Sequence, residues 1–109
     1  MIPIDTLRQK LNAAGIPFES SVEERKYSED NFKRYGEAAR YMINQIVYGR
    51  LDRENWKVDA IFHYGSYGAK DGLLEVWGSL IGDEPVVMTV DEVFEIIQKD
   101  WRETKTEYI

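Results

Sequence analysis

Apolar residues recur with two different periods along this chain, and the switch between the periods predicts the order of its elements. Near the N-terminus, Leu7 and Leu11 stand four residues apart, as on one face of a helix. Asp5 or Thr6 can cap that helix at its start, and Gly15 can end it in the left-handed conformation that glycine tolerates. These positions predict an N-terminal amphipathic helix.

The middle of the chain changes to the two-residue period of a β-strand. Val58 and Ala60 alternate with Asp59, and glycine-containing segments at 65–72 and 82–85 separate the apolar runs that follow. Such segments are typical of the turns between antiparallel strands. Strands are therefore predicted at 58–64, 73–80 and 86–88, with a fourth at 41–48 and a short extended piece at 18–22.

The C-terminal helix has the clearest signature in the chain. Thr89 and Glu92 have the spacing of a capping box, and Val93 and Ile97 begin an apolar face after it. The polar tail, 102–109, is expected to fray. The pattern predicts a helix that starts at the capping box and ends near this tail.

Together these elements predict an α+β fold in a single domain, 1–109. The expected architecture is a small antiparallel sheet of three to four strands, flanked by an N-terminal and a C-terminal helix. Ser28 can cap a further short helix, but the pattern leaves open whether residues 31–48 are helix or strand.

Composition narrows the classes of function. The 109 residues carry 14 Lys and Arg, 20 Asp and Glu and no cysteine, for a net charge of -6. An acidic surface repels phosphate, so direct nucleic-acid binding is not expected. The chain offers no thiolate ligand and a single histidine, so we predict neither metal nor cofactor. No segment has the pattern of a signal peptide or a membrane span, so a cytoplasmic protein without membrane contact is expected.

Several segments carry a resemblance to a known group of proteins. The opening AGIPFE at 14–19 precedes the run 58–68, the strand 72–78 and the apolar run 86–88, which leads into the start of the terminal helix at 89–94. In this order they resemble short uncharacterised proteins encoded by phages and prophages of Gram-positive bacteria. The resemblance implies a phage or prophage context and residence in the cytoplasm of the host cell. It brings no catalytic residue, but favours proteins that modulate the host, including inhibitors of bacterial defence systems.

Candidate catalytic chemistry centres on His63, the one histidine. Asp59 shares a strand face with it, and Ser66 follows in the glycine-rich segment. The segment around Ser66 lacks the spacing of a nucleophile elbow, and Lys70 next to Asp71 does not form a phosphate loop. We therefore assign no catalytic residue and expect a protein that is not an enzyme. A small enzyme using His63 is an alternative.

The aromatic residues are more numerous than one small core requires, at 13% of the chain. Tyrosine and tryptophan are enriched at interface hot spots. The candidate binding residues are Tyr67, Trp56, Trp101, His63 and Lys70. The leading hypothesis is a non-catalytic phage or prophage accessory protein that binds a host or phage protein. An acidic inhibitor of a host nucleic-acid-binding or defence protein is the alternative, and self-association through an exposed sheet edge is also considered.

Overall fold

The computed structural model describes residues 1–104, which fold into a five-stranded antiparallel sheet with helices on one of its faces. The α+β class and the two terminal helices are confirmed, but the sheet has one or two strands more than the three to four expected. The helices are α1 (Pro3–Ala13), α2 (Glu29–Tyr35) and α3 (Val90–Thr104), and the strands are β1 (Glu19–Glu24), β2 (Tyr41–Arg50), β3 (Trp56–Ile61), β4 (Leu74–Gly78) and β5 (Gly82–Met88).

Strand order in the sheet follows the chain, so each strand pairs with its sequence neighbour. The register places Val47 opposite Asp59 and Asp59 opposite Trp77 across the three central strands. Short turns join β2 to β3 and β4 to β5. The connection between β1 and β2 is longer and contains α2 and a 3₁₀ turn, Gly36–Arg40.

The hydrophobic core lies between one face of the sheet and the two longer helices. Alternate residues of β3, Val58 and Ala60, are fully buried in it, against Leu7 of α1 and Ile97 of α3. Because side chains alternate across a strand, Asp59, between them, points to the opposite face, as do its partners Val47 and Trp77 on the adjacent strands. The core residues of the sheet are Ile46, Tyr48, Val58, Ala60, Phe62, Leu74 and Val76.

The start of α1 differs from the expectation. The helix begins at Pro3 with Ile2 in the capping position, so neither Asp5 nor Thr6 is the N-cap. Proline suits the first helical position, because its fixed φ matches the helix and it lacks an N–H that would have no partner there. The predicted end is confirmed, since Gly15 has a φ of +69° just beyond the helix.

β1 and the first half of β5 account for the additional sheet content. Every residue of β1 is exposed, so this strand lacks the alternation by which strands are recognised in sequence. Its place is set by pairing with β2. β5 begins at Gly82 because the turn after β4 is made earlier than 82–85, by Ser79 to Ile81.

The capping box of α3 is confirmed. The backbone N–H of Glu92 donates to Thr89 Oγ1 at 3.2 Å, and the N–H of Thr89 donates to Glu92 Oε1 at 3.0 Å. Val93 and Ile97 are fully buried, as the apolar periodicity predicts. The predicted tail, 102–109, overlaps the last turn of α3, and its residues 105–109 lie outside the described part of the chain.

Candidate functional site

The face of the sheet opposite the helices carries a buried polar pair. Gln45 Nε2 on β2 donates to both carboxylate oxygens of Asp59 on β3, each at 2.9 Å. Val47 and Trp77 stand directly opposite Asp59 on the two neighbouring strands. As a result Asp59 is only 1% exposed, although it lies outside the hydrophobic core.

The surroundings of Asp59 favour its protonated form. Burial raises the pKa of this carboxyl from 3.8 to about 6, because a charged group loses its hydration there. The hydrogen bonds from Gln45 oppose that change, and the nearby charges of Arg50 and His63 oppose it further. Asp59 is therefore a carboxyl group that can change its charge near pH 6.

The segment between β3 and β4 forms a well-braced loop at one end of the sheet. Ser66 Oγ donates to the carbonyl of His63 at 2.8 Å and accepts from the backbone N–H of the same residue at 3.2 Å. Gly68 takes a φ of +76°, and its carbonyl accepts a hydrogen bond from the N–H of Leu73 at 3.0 Å. The backbone on both sides of Tyr67 is thus held by short-range hydrogen bonds.

Tyr67 is the most exposed aromatic residue in residues 1–104, at 74% of its surface. Its backbone N–H donates to Glu75 Oε1 at 3.2 Å. The next residue, Gly68, packs so closely on β5 that a Cβ atom there would lie 2.5 Å from Val87 Cγ1. Val87 is itself 44% exposed, so Tyr67 and Val87 contribute apolar surface on either side of this contact.

The five candidate binding residues lie in three different parts of the fold. Tyr67, His63 and Lys70 belong to the same end of the sheet, within or beside the β3–β4 loop. Trp56 stands at the other end of β3, seven residues before His63, which is about 23 Å along a strand. Trp101 lies on α3 and packs against the core on the opposite face. Tyr67, His63 and Lys70 therefore belong to one part of the fold and Trp56 and Trp101 to two others, and the binding role of all five stays a prediction.

Within residues 1–104, the imidazole of His63 is hydrogen-bonded to the backbone and to no side chain. Its Nδ1 lies 2.6 Å from the backbone carbonyl of Tyr64. The Ser66 hydroxyl contacts the backbone of His63, and no hydrogen bond joins that hydroxyl to the imidazole. In this arrangement the Ser66 side chain stabilises the backbone of a turn.

Two statements on other kinds of site apply to residues 1–104. No group of three or more histidine, aspartate or glutamate side chains is placed to hold a metal ion. No helix in this part of the chain has the length and apolarity needed to cross a membrane.

An exposed aromatic and basic surface was not predicted from the sequence. Tyr27 and Phe32 lie with their ring centroids 6.0 Å apart, and the guanidinium of Arg40 lies 5.8 Å from the Tyr27 ring. Close by in the chain, the guanidinium of Arg25 lies 4.2 Å from the ring of Tyr64. Tyr64 is 37% exposed, so its ring is accessible at this surface.

Comparison with known proteins adds no functional information. No protein-family model matches the chain, and neither a curated protein nor a solved structure shows significant similarity to it. The phage or prophage context stays a prediction.

Proposed function

We propose that this protein is a non-catalytic accessory protein of a phage or prophage, and that it acts in the host cytoplasm by binding another protein. The contact surface in this proposal is centred on Tyr67 and includes Val87. The observation that carries it is a tyrosine side chain, 74% exposed, on a loop whose backbone is held by hydrogen bonds and close packing.

A braced, exposed tyrosine is suited to protein binding for two physical reasons. Its ring offers a large apolar area together with a hydroxyl that can find a partner, and such residues dominate many interfaces. In addition, the loop around Tyr67 is already ordered before binding, so the interface loses little backbone entropy when it forms. A flexible loop would lose conformational entropy on binding, which would weaken the affinity.

Pairing through the sheet edges is a weaker route to association. The outer strand β1 carries glutamates at positions 19, 23 and 24, and β5 contains Pro85 and an irregular register opposite β4. Charges, proline and bulges on edge strands disfavour pairing with another strand. Contact through side chains at Tyr67 is therefore favoured over extension of the sheet.

Capture from a bacterial lysate with matched variants tests the proposal. Wild-type protein, Tyr67→Ala and Tyr27→Ala would each be immobilised, incubated with nuclease-treated lysate and washed at moderate salt. Tyr27 is a suitable control because it is also exposed, at 43%, but lies in the segment between β1 and α2.

The expected result is one protein retained in near-stoichiometric amount by the wild type and by Tyr27→Ala. Tyr67→Ala should retain about tenfold less or lower, the effect of a single hot-spot residue. Identical capture by all three proteins would contradict the role of Tyr67. Release of the partner by higher salt alone would favour the acidic-inhibitor alternative, in which surface charge provides most of the attraction.

A further inference from the structure

A depression of about 440 Å³ lies at the end of the sheet opposite Tyr67. It is formed where the β2–β3 turn approaches the β4–β5 turn, and two tryptophans contribute to its lining. Both tryptophans are partly exposed. Its main lining residues are Leu51, Asp52, Glu54, Trp56, Trp77 and Asp83.

The lining of this depression is acidic. Asp52, Glu54 and Asp83 contribute carboxylates, and none of the ten lining residues is lysine or arginine. Asp52 stays charged, because hydrogen bonds from the side chain of Asn55 and the backbone N–H of Glu54 lower the pKa of its carboxyl. The chemistry of the lining is therefore complementary to a cation.

The tryptophans add a second kind of complementarity. The electron-rich face of an indole ring attracts ammonium and guanidinium groups, and attracts the flat guanidinium most often. The protein already contains one such pairing, since the guanidinium of Arg50 lies 5.8 Å from the Trp56 ring. The Arg50 guanidinium also bonds Glu19, at 2.7 Å between Nε and Oε2, so its charge is locally balanced. Arg50 forms no ion pair with the three lining carboxylates.

The attraction of a cation to the depression depends mainly on the charges close to it. Screening at physiological salt reduces electrostatic interactions beyond about 8 Å. The basic residues of the segment 25–40 lie beyond the far end of β2, a ten-residue strand that spans about 33 Å. Two basic residues, Arg50 and Arg53, belong to the same end of the sheet as the depression, but neither of them lines it. A cation in the depression therefore interacts most directly with the three carboxylates and two indole rings of the lining.

We infer that this depression binds an arginine side chain on a basic segment of a partner protein. The inference rests on the proposed protein-binding function in one respect, that the arginine belongs to a protein. It concerns a different surface from that of Tyr67. Neither surface requires the other to be correct.

The direct test uses two short peptides and the indole N–H signals of the ¹⁵N-labelled protein in NMR spectra. One peptide carries two arginines, and the other carries two citrullines, which have nearly the same shape without the charge. The arginine peptide should shift the signals of Trp56 and Trp77 in low salt, and leave that of Trp101 on α3 in place. The citrulline peptide should shift none of them.

Matched charge variants complete the test. Glu54→Gln with Asp83→Asn should weaken binding of the arginine peptide about fivefold, the effect of two exposed ion pairs. Glu95→Gln with Glu103→Gln removes the same charge from exposed positions of α3 and should leave the affinity unchanged. Tyr67→Ala should also leave it unchanged, which separates this inference from the proposed function.

Three results would overturn the inference. The first is the absence of shifts at millimolar arginine peptide. The second is equal binding of the citrulline peptide, which would show that charge is not recognised. The third is equal weakening by both double variants, which would indicate attraction to the net charge of the molecule and not to the depression.

Discussion

Replacing Asp59 with asparagine should stabilise the protein at neutral pH and remove part of the pH dependence of its stability. Asp59 is 1% exposed and accepts both hydrogen bonds from Gln45 Nε2. Asparagine has nearly the same shape and keeps one oxygen to accept from Gln45. The substitution therefore removes mainly the buried charge.

The pKa of Asp59 gives the size of the effect. Burial raises this pKa in the folded protein from 3.8 to about 6, and each pKa unit corresponds to about 1.4 kcal/mol. Because the folded-state pKa lies above the unfolded one, protonated Asp59 contributes stability below about pH 4, and this contribution is lost as the pH rises to about 6. Ionised Asp59 therefore lowers the free energy of unfolding at neutral pH by up to about 3 kcal/mol.

Urea unfolding of the wild type and Asp59→Asn at pH values between about 4 and 7.5 measures this effect. The two proteins should differ by less than about 1 kcal/mol at pH 4, and the variant should be more stable by about 2 kcal/mol at pH 7.5. Asp83→Asn, at an exposed position, is the control and should show no such divergence. A difference that does not depend on pH, or a variant less stable at pH 7.5, would refute the reasoning.

The other predictions concern stability at neutral pH and use the same urea assay. Gly68→Ala should cost about 3 kcal/mol or more, because φ is +76° and the new methyl group would lie 2.5 Å from a β5 side chain. Gly65→Ala, at a φ of +82° in open space, should cost about 1 kcal/mol, and equal losses would argue against the close packing of the loop. Thr89→Ala removes the cap of α3 and should cost about 1 kcal/mol, whereas no loss would mean that water replaces the cap. Asp100→Ala leaves the largely buried ammonium of Lys57 without its carboxylate, now 2.9 Å away, and removes the acceptor of the Tyr48 hydroxyl, so it should cost about 3 kcal/mol. If Lys57→Met restores most of the lost stability, the buried charge is the main cause, and the remaining loss belongs to the Tyr48 hydrogen bond.

Elements with local signals were predictable from the amino-acid sequence. The capping box at Thr89 identified the start of α3, since both of its hydrogen bonds join residues three positions apart. Gly15 identified the end of α1, and the alternation around Val58 identified β3 with the correct face in the core. Ser28 was also identified correctly as the N-cap of α2, where its hydroxyl accepts from the N–H of Asn31.

Other features depend on contacts between distant parts of the chain. The sequence predicts a short extended piece at 18–22, and this piece becomes the edge strand β1 because β2 offers it hydrogen-bonding partners. In the same way, the burial of Asp59 depends on Trp77 and Val47, which sheet pairing brings to its two sides. A raised pKa on the face away from the core cannot be read from a sequence, because it depends on which strands become neighbours.

Which candidate binding residues share a surface also depends on the fold and cannot be read from the sequence. Composition indicated a surplus of aromatic residues, and Tyr67 was correctly placed in a glycine-rich loop. Only the fold separates Tyr67 from Trp56, at opposite ends of the sheet, and places Trp101 on the helical face. Residue type and local spacing determine which elements form, whereas the pairing of strands and the packing of helices determine which side chains share a surface.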